Sequence, residues 1–127
     1  MQEVSRRRLR ILIVDDDRAV LLALTRQLGT LGWDARGAVS AQEALAILAG
    51  LDGVDAVLTD IQMPGMDGFA LQAEVAHRFP GTTVVLMSAA ADPAAATASP
   101  PAPTILRKPF SVHTLTAVLE RVREERG

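Results

Sequence analysis

The chain has no cysteine, no marked excess of either charge and no long hydrophobic run. The missing cysteine excludes disulfide bonds, thiolate metal sites and a cysteine nucleophile. With 13 basic and 15 acidic residues the net charge is −2, so nothing predicts a nucleic-acid-binding surface. The apolar runs are too short to cross a bilayer or to form a signal peptide. These absences, together with 49% hydrophobic residues, favour one small cytoplasmic domain without membrane or nucleic-acid partners.

Short apolar runs predict the strands. Residues 11–14, 56–59 and 83–87 are rich in β-branched side chains and unbroken rather than alternating. Strands that are covered on both faces of a parallel sheet have this pattern. Residues 33–39 and 104–106 are weaker candidates for two further strands.

Helical patterns fill the stretches between and after these runs. Residues 18–31 place Leu24, Leu28 and Leu31 on one apolar face, and Gly32 can end that helix. Ser40 opens a second helix with a capping box that extends to about residue 49. A third helix follows Gly68, and the last helix is expected to begin after a cap at Ser111.

Strands that alternate with helices predict an α/β fold, in which a parallel sheet carries helices on both faces. We find no internal repeat and no second domain. Residues 89–103 depart from the pattern, because they contain eight alanines and four prolines but no Leu, Ile, Val or Phe. We therefore expect at most a turn or two of helix there, in the most mobile part of the domain.

Polar residues follow four of the predicted strands directly: Asp15 and Asp16 the first, Asp60 the third, Ser88 the fourth and Lys108 the fifth. Because ligands bind at the carboxyl ends of parallel strands, these side chains are expected to converge. Clustered carboxylates without His or Cys favour a hard cation such as Mg²⁺. A carboxylate beside Mg²⁺ and a lysine can also attack phosphorus and form an aspartyl phosphate.

Each of these residues also has a simpler explanation. Asp17, and in part Asp16, can cap the following helix. Asp60 can be a loop residue, Ser88 a turn hydroxyl and Lys108 a solvated surface charge. Each residue lies next to its own strand in the right order. This combination favours one shared metal and phosphoryl site over separate explanations for each residue.

The sequence resembles the response-regulator receiver domains of two-component signalling over about residues 9–123. The resemblance is carried by four stretches: Ile13-Val14-Asp15-Asp16-Asp17, Leu58-Thr59-Asp60-Ile61-Gln62-Met63-Pro64-Gly65-Met66-Asp67-Gly68, Val84-Val85-Leu86-Met87-Ser88-Ala89 and Leu106-Arg107-Lys108-Pro109-Phe110. It implies a flavodoxin-like (βα)5 sheet of order 2-1-3-4-5, here with a degenerate fourth helix. Residues 1–8 would be a flexible arm and residues 124–127 a tail.

The resemblance also implies a function. Asp60 would accept a phosphoryl group from the phosphohistidine of a histidine kinase or histidine phosphotransfer protein, and lose it slowly by hydrolysis. Mg²⁺ would be held directly by Asp16, through water by Asp15, and by Asp60 and the backbone carbonyl of Gln62. Ser88 and Lys108 would bind phosphoryl oxygens, and the peptide bond between Lys108 and the next residue would be cis.

The sequence also departs from the family pattern. Ile105 stands three positions before the lysine, where receivers usually carry an aromatic residue that moves inward on phosphorylation. The interval from Ser88 to Lys108 is about two residues shorter than usual, and Ala-Pro-Thr replaces the usual Gly-Ala turn before the last strand. These differences put in doubt the usual switch and the usual dimer through that face, so a monomer or a weak homodimer is expected.

Two other function classes fit the sequence less well than a phosphoacceptor. An interaction module that switches without phosphate would commonly lose one of the acidic residues or the lysine, and none is lost here. A phosphohydrolase of the haloacid-dehalogenase type needs an aspartate two residues after the nucleophile, and that position is Gln62. We therefore expect signalling chemistry rather than an enzyme with turnover. The sequence shows no output domain, which fits either a stand-alone receiver or one excised from a larger protein.

Overall fold

A computed structural model describes residues 9–50, 53–89 and 104–126. Five strands lie in these ranges: β1 (Arg10–Val14), β2 (Asp34–Ala38), β3 (Ala56–Asp60), β4 (Thr83–Ser88) and β5 (Thr104–Arg107). The same ranges contain four helices: α1 (Arg18–Thr30), α2 (Ala41–Gly50), α3 (Gly68–Arg78) and α4 (Val112–Arg126).

All strand pairs are parallel, and the sheet order is β2-β1-β3-β4-β5. This confirms the predicted α/β fold and its strand order. In β1 and β3, four of five residues are buried, as the unbroken apolar runs indicated. Strand β3 is the central strand, so Asp60 at its carboxyl end lies in the middle of the row formed by the carboxyl ends of the five strands.

The strand periodicity of two divides the interior into two hydrophobic cores. In β1, Ile11 and Ile13 join one core and Leu12 and Val14 join the other. The first core contains buried residues of α1 and α4, and the second those of α2 and α3. Both faces of the sheet are therefore covered, and the polar residues of the predicted site lie at the carboxyl ends of the strands.

The predicted helix caps are present. The Ser40 hydroxyl accepts a hydrogen bond from Glu43 N (3.1 Å), and the Glu43 carboxylate accepts one from Val39 N (2.7 Å). The returning bond of this capping box thus reaches one residue further back than the usual pattern. Ser111 caps α4 by accepting a hydrogen bond from Thr114 N (3.1 Å).

The prediction for Leu31 was wrong. Helix α1 ends at Thr30, and Leu31 is its C-cap with 51% of its surface exposed. Gly32 follows with a φ of 97°, a left-handed conformation that redirects the chain toward β2. Leu31 therefore lies outside the buried face of the helix. Leu24 and Leu28 are buried as expected.

Some predictions fall outside the described residues: the arm at residues 1–8, the mobility and helix content of residues 90–103, and residue 127 of the tail. Helix α4 continues to Arg126, beyond residue 123 where the sequence placed the end of the domain. In the part of the chain that the structure describes, no helix is long and apolar enough to cross a membrane.

Candidate functional site

Three carboxylates meet at the carboxyl edge of the sheet. Asp15 and Asp16 follow β1, and Asp60 is the last residue of β3. One oxygen from each can be chosen so that all three lie within 4.8 Å of one another. The predicted convergence of residues that are 45 positions apart in the sequence is therefore present in the fold.

Asp15 is the buried member of this cluster, with 1% of its surface exposed. Its two oxygens have different partners: Oδ1 accepts a hydrogen bond from Asp17 N (2.9 Å), and Oδ2 lies 3.2 Å from Lys108 Nζ. A buried carboxylate needs such partners, because its charge is otherwise poorly solvated.

Asp60 also faces Lys108, whose Nζ lies 3.7 Å from Asp60 Oδ2. Burial raises the pKa of the Asp60 carboxyl above its usual 3.8, and the negative charges of Asp15 and Asp16 raise it further. The Lys108 ammonium and a hydrogen bond from the Gln62 backbone N–H lower the pKa of Asp60, but the net change is upward. The carboxylate is thus poorly solvated and close to a cation, as suits a nucleophile.

Lys108 reaches the cluster because of where β5 ends. Its backbone N–H donates to the Ser88 carbonyl oxygen (2.6 Å), which ties the loop after β5 to the end of β4. The Lys108–Pro109 peptide bond is cis, as the resemblance implied. Ser88 is the last residue of β4 and is 7% exposed.

The loop after Asp60 folds back over the end of β3. Gly68 N donates to the Ile61 carbonyl oxygen (2.8 Å), and Ile61 N donates to that of Met87 (3.0 Å). A Cβ at Gly68 would lie 2.5 Å from the Asp60 carbonyl oxygen, so only glycine fits there. Gly65 has a φ of 77°, a left-handed conformation that glycine adopts readily, so Pro64-Gly65 belongs to the turn between β3 and α3.

Asp17 is a helix cap. Its Oδ1 accepts hydrogen bonds from Ala19 N (3.0 Å) and Val20 N (3.4 Å) at the start of α1. Asp67 plays the same part for α3 and accepts a hydrogen bond from Ala70 N (2.9 Å). The simpler explanation therefore holds for Asp17, whereas Asp16 lies in the carboxylate cluster.

Sequence reasoning missed two contributors to the site. One is the close contact between Gly68 and the Asp60 backbone, for which a glycine at the first position of a helix was the available signal. The other is the Gln62 backbone N–H, which donates to the Asp60 carboxylate. Backbone groups carry no sequence signal. The metal-binding role of the Gln62 carbonyl oxygen stays a prediction.

The donor set fits Mg²⁺. The three carboxylates offer oxygen ligands, as Mg²⁺ prefers, and the exposed Asp16 leaves the cluster open to solvent. Repulsion among three like charges, with one ammonium opposite, favours a divalent cation at this position.

Comparison with known proteins agrees with this geometry. The family model described as "Response regulator receiver domain" matches residues 11–120. The chain belongs to this family. A curated relative, the DNA-binding transcriptional regulator NtrC of Salmonella typhimurium strain LT2, is 37% identical over 111 residues, which are 86% of this chain and 24% of that protein. The sensor kinase CckA of Brucella abortus strain 2308 is 34% identical over 118 residues, or 91% of this chain and 12% of that protein.

Solved receiver domains have the same fold. A response regulator receiver domain protein from Clostridium thermocellum superposes with a TM-score of 0.87 at 25% identity and covers 93% of this chain and 96% of its own. A CheY-like receiver domain protein from Methanospirillum hungatei JF-1 gives a TM-score of 0.83 at 28% identity and covers 95% of this chain and 100% of its own. The receiver domain described here spans about a quarter or less of the two curated relatives named above.

Proposed function

We propose that this receiver domain is a phosphoacceptor in a two-component phosphorelay and that Asp60 receives the phosphoryl group. The observation that carries the proposal is the position of the Asp60 carboxylate at the end of the central strand, 3.7 Å from the Lys108 ammonium and beside Asp15 and Asp16. Nucleophile, countercharge and metal ligands are then within reach of one phosphorus atom.

In the transfer step, an Asp60 oxygen attacks the phosphorus of a phosphohistidine. The new O–P bond forms as the N–P bond breaks, and the electron pair of the broken bond returns to the imidazole nitrogen. Lys108 neutralises negative charge on the phosphoryl oxygens, and the Ser88 hydroxyl donates to one of them. Asp15 and Asp16, with Asp60 and the Gln62 carbonyl, would hold Mg²⁺, which supplies further charge neutralisation when bound.

The donor of the phosphoryl group is proposed to be a histidine kinase or a histidine phosphotransfer protein in the cytoplasm. A relative described as a sensor kinase, together with one described as a transcriptional regulator, supports a place in such a relay. We further propose that hydrolysis of the aspartyl phosphate is slow, so that the chain stores a signal rather than turning over substrate. We propose a monomer or a weak homodimer.

Phosphoryl uptake tests the proposal. The protein is incubated with phosphoramidate and Mg²⁺ and weighed intact, and a stable gain of one phosphoryl group is expected. Asp60→Asn should abolish the gain and retain the fold. Asp67→Asn is the matched control, because Asp67 is a nearby carboxylate that caps α3, and this variant should be phosphorylated like the wild type.

Other results would support other functions. No gain in the folded wild type would favour an interaction module that works without phosphate. Rapid release of phosphate from diverse phosphate esters would favour a phosphohydrolase. Wild-type uptake in Asp60→Asn would refute the assignment of Asp60.

A further inference from the structure

Thr59 places a hydroxyl in the interior of the sheet, directly before the phosphoacceptor candidate in the sequence. Its surface is 0% exposed, and it follows the buried apolar residues Ala56, Val57 and Leu58 of β3. A valine would have nearly the same shape and the same preference for a strand, without a hydroxyl to remove from water. Because burying a hydroxyl costs free energy unless it forms a hydrogen bond, its partner is the group to identify.

The partner is the carbonyl oxygen of Asp60, to which Thr59 Oγ1 donates a hydrogen bond at 3.0 Å. The pairing of β1 with β3 ends at Val14, which lies opposite Thr59, so Asp60 is one residue beyond the paired segment. The Thr59 hydroxyl therefore serves a backbone carbonyl at the point where the ladder between these two strands stops.

The peptide group between Asp60 and Ile61 is thereby held at both of its polar atoms. Its carbonyl oxygen accepts from the Thr59 hydroxyl, and its N–H, which belongs to Ile61, donates to the Met87 carbonyl oxygen at 3.0 Å. A Cβ at Gly68 would lie 2.5 Å from the same Asp60 carbonyl oxygen, so the start of α3 packs against this peptide group as well.

We propose that Thr59 is a positioning residue for phosphoryl transfer: its hydroxyl fixes the Asp60 peptide group and thereby the direction of the Asp60 carboxylate. This inference rests on the proposed function and adds a residue that acts through Asp60. The carboxylate has to stay near the Lys108 ammonium, which is 3.7 Å away, and near Asp15 and Asp16. A rotation of the peptide group would move it relative to all three, and small displacements of a nucleophile slow a reaction strongly.

Two substitutions at position 59 separate the hydroxyl from the packing. Thr59→Val keeps the branched shape and removes the hydroxyl, whereas Thr59→Ser keeps the hydroxyl and removes a buried methyl group. The rate constant of phosphorylation by phosphoramidate is measured at saturating Mg²⁺, and stability is measured by urea unfolding. Thr59→Val should react about fivefold more slowly than the wild type, the factor that corresponds to one lost hydrogen bond. Thr59→Ser should react within about twofold of the wild-type rate, although its urea midpoint falls because of the lost methyl group.

A merely structural role for Thr59 predicts a different order, since the rate of phosphorylation would then follow stability. Thr82→Val is the matched control. The Thr82 hydroxyl also donates to a backbone carbonyl oxygen, that of Val54 at 2.7 Å, but these residues precede β4 and β3 at the amino end of the sheet. Loss of this hydrogen bond should lower the urea midpoint and leave the rate of phosphorylation unchanged.

Nuclear magnetic resonance reports on the peptide group directly. The Ile61 amide nitrogen belongs to the same peptide group as the Asp60 carbonyl, so its signal should shift in Thr59→Val and stay close to the wild-type position in Thr59→Ser. The signal of the Asp60 carboxyl carbon should follow the same pattern. Thr59→Ala serves if Thr59→Val does not fold: it differs from Thr59→Ser only by the hydroxyl and should react more slowly than that variant.

The inference is overturned if Thr59→Val reacts at the wild-type rate, if Thr59→Ser is slowed as much as Thr59→Val, or if Thr82→Val is slowed equally. An Ile61 signal that is unchanged in Thr59→Val would overturn it too. If the wild type takes up no phosphoryl group, the proposed function fails, and the Ile61 and Asp60 signals decide whether Thr59 positions Asp60. If the wild type is phosphorylated and Thr59→Val reacts equally fast, the inference alone fails.

Discussion

At the scale of single residues, Gly68 shows how closely the loop after β3 approaches the phosphoacceptor candidate. A Cβ there would lie 2.5 Å from the Asp60 carbonyl oxygen and 2.8 Å from Ile61 Cα. Both neighbours are backbone atoms, which cannot move aside as a flexible side chain would. The end of β3 and the start of α3 would have to separate to admit a side chain.

Gly68→Ala is therefore expected to lower the free energy of unfolding by about 1–3 kcal/mol, measured by urea denaturation. Gly29→Ala is the control, since a Cβ at Gly29 in α1 would have nothing within 4 Å. That substitution should raise stability by about 0.5 kcal/mol, because alanine is the better helix former. Equal stability of Gly68→Ala and the wild type would contradict the close contact.

The raised pKa of Asp60 predicts a pH dependence of stability. Burial and the charges of Asp15 and Asp16 raise this pKa above 3.8, so the native state binds the Asp60 proton more tightly than the unfolded chain does. Ionisation of Asp60 therefore destabilises the native state as the pH rises above the ordinary pKa of 3.8.

Asp60→Asn removes this charge and should raise the free energy of unfolding at pH 7 in a chelating buffer. The difference from the wild type should shrink as the pH falls below 3.8, where the wild-type carboxyl is protonated as well. Urea unfolding at both pH values makes the comparison. A variant less stable than the wild type at pH 7 would show that the pairing with Lys108 outweighs burial.

At the scale of elements, the β1–α1 junction separates two tasks among adjacent aspartates. Asp17 caps α1 through hydrogen bonds to Ala19 N and Val20 N. Asp16 contributes a ligand atom to the carboxylate cluster and is exposed. The turn from strand to helix points neighbouring side chains in different directions, so the similar residues need not share a function.

Asp17→Ala should cost about 1 kcal/mol of stability, because it leaves the first N–H groups of α1 without their partner, and it should leave Mg²⁺ affinity nearly unchanged. Asp16→Ala should do the opposite: stability stays within about 0.5 kcal/mol, while Mg²⁺ affinity falls at least tenfold. Thermal unfolding and calorimetry on both variants measure the two effects. A loss of Mg²⁺ binding in Asp17→Ala as large as that in Asp16→Ala would contradict the division of tasks.

Strand β5 contains Ile105, the aliphatic residue at the position where receivers usually have an aromatic one. Ile105 is half-buried and pairs in register with Leu86 of the neighbouring strand. An aliphatic side chain at this position has no hydroxyl or ring to exchange between exposed and buried positions. Ser88 and Lys108 nevertheless lie at the carboxyl ends of the same two strands, so their placement does not require an aromatic side chain at position 105.

At the scale of the whole molecule, Mg²⁺ should stabilise the fold. The three carboxylates come together only in the folded chain, so an ion that binds there shifts the equilibrium toward the native state. At a Mg²⁺ concentration ten times the dissociation constant, the gain should be about 1.4 kcal/mol. Thermal melts in MgCl₂ and in NaCl of equal ionic strength test this. A melting temperature that rises equally in both salts would count against a specific site.

The single tryptophan should not report on this binding. Trp33 is 3% exposed, precedes β2 at the opposite edge of the sheet from the carboxylates, and has the Arg123 guanidinium carbon 4.5 Å from its ring centroid. Saturating Mg²⁺ should therefore change its fluorescence little. Arg123→Ala, which removes the stacked cation, should change the emission clearly, and strong quenching by Mg²⁺ in the wild type would refute the prediction.

The sequence alone determined the order of strands and helices, the covered sheet and the residues at the strand ends. Unbroken apolar runs, helical stripes and caps such as Ser40 are local signals, and the topology of parallel sheets brings strand ends to one edge. The resemblance added the strand order. The failure at Leu31 arose because the periodicity that predicts a helix continues past the residue where the chain turns.

Only the tertiary structure decided which carboxylate oxygen faces which cation. The sequence does not reveal that Asp15 divides its oxygens between a backbone N–H and Lys108, or that Gly68 contacts the Asp60 backbone. These contacts join residues up to 93 positions apart. They depend on strand register and loop geometry to within about 1 Å, a precision that packing imposes and local sequence patterns do not carry.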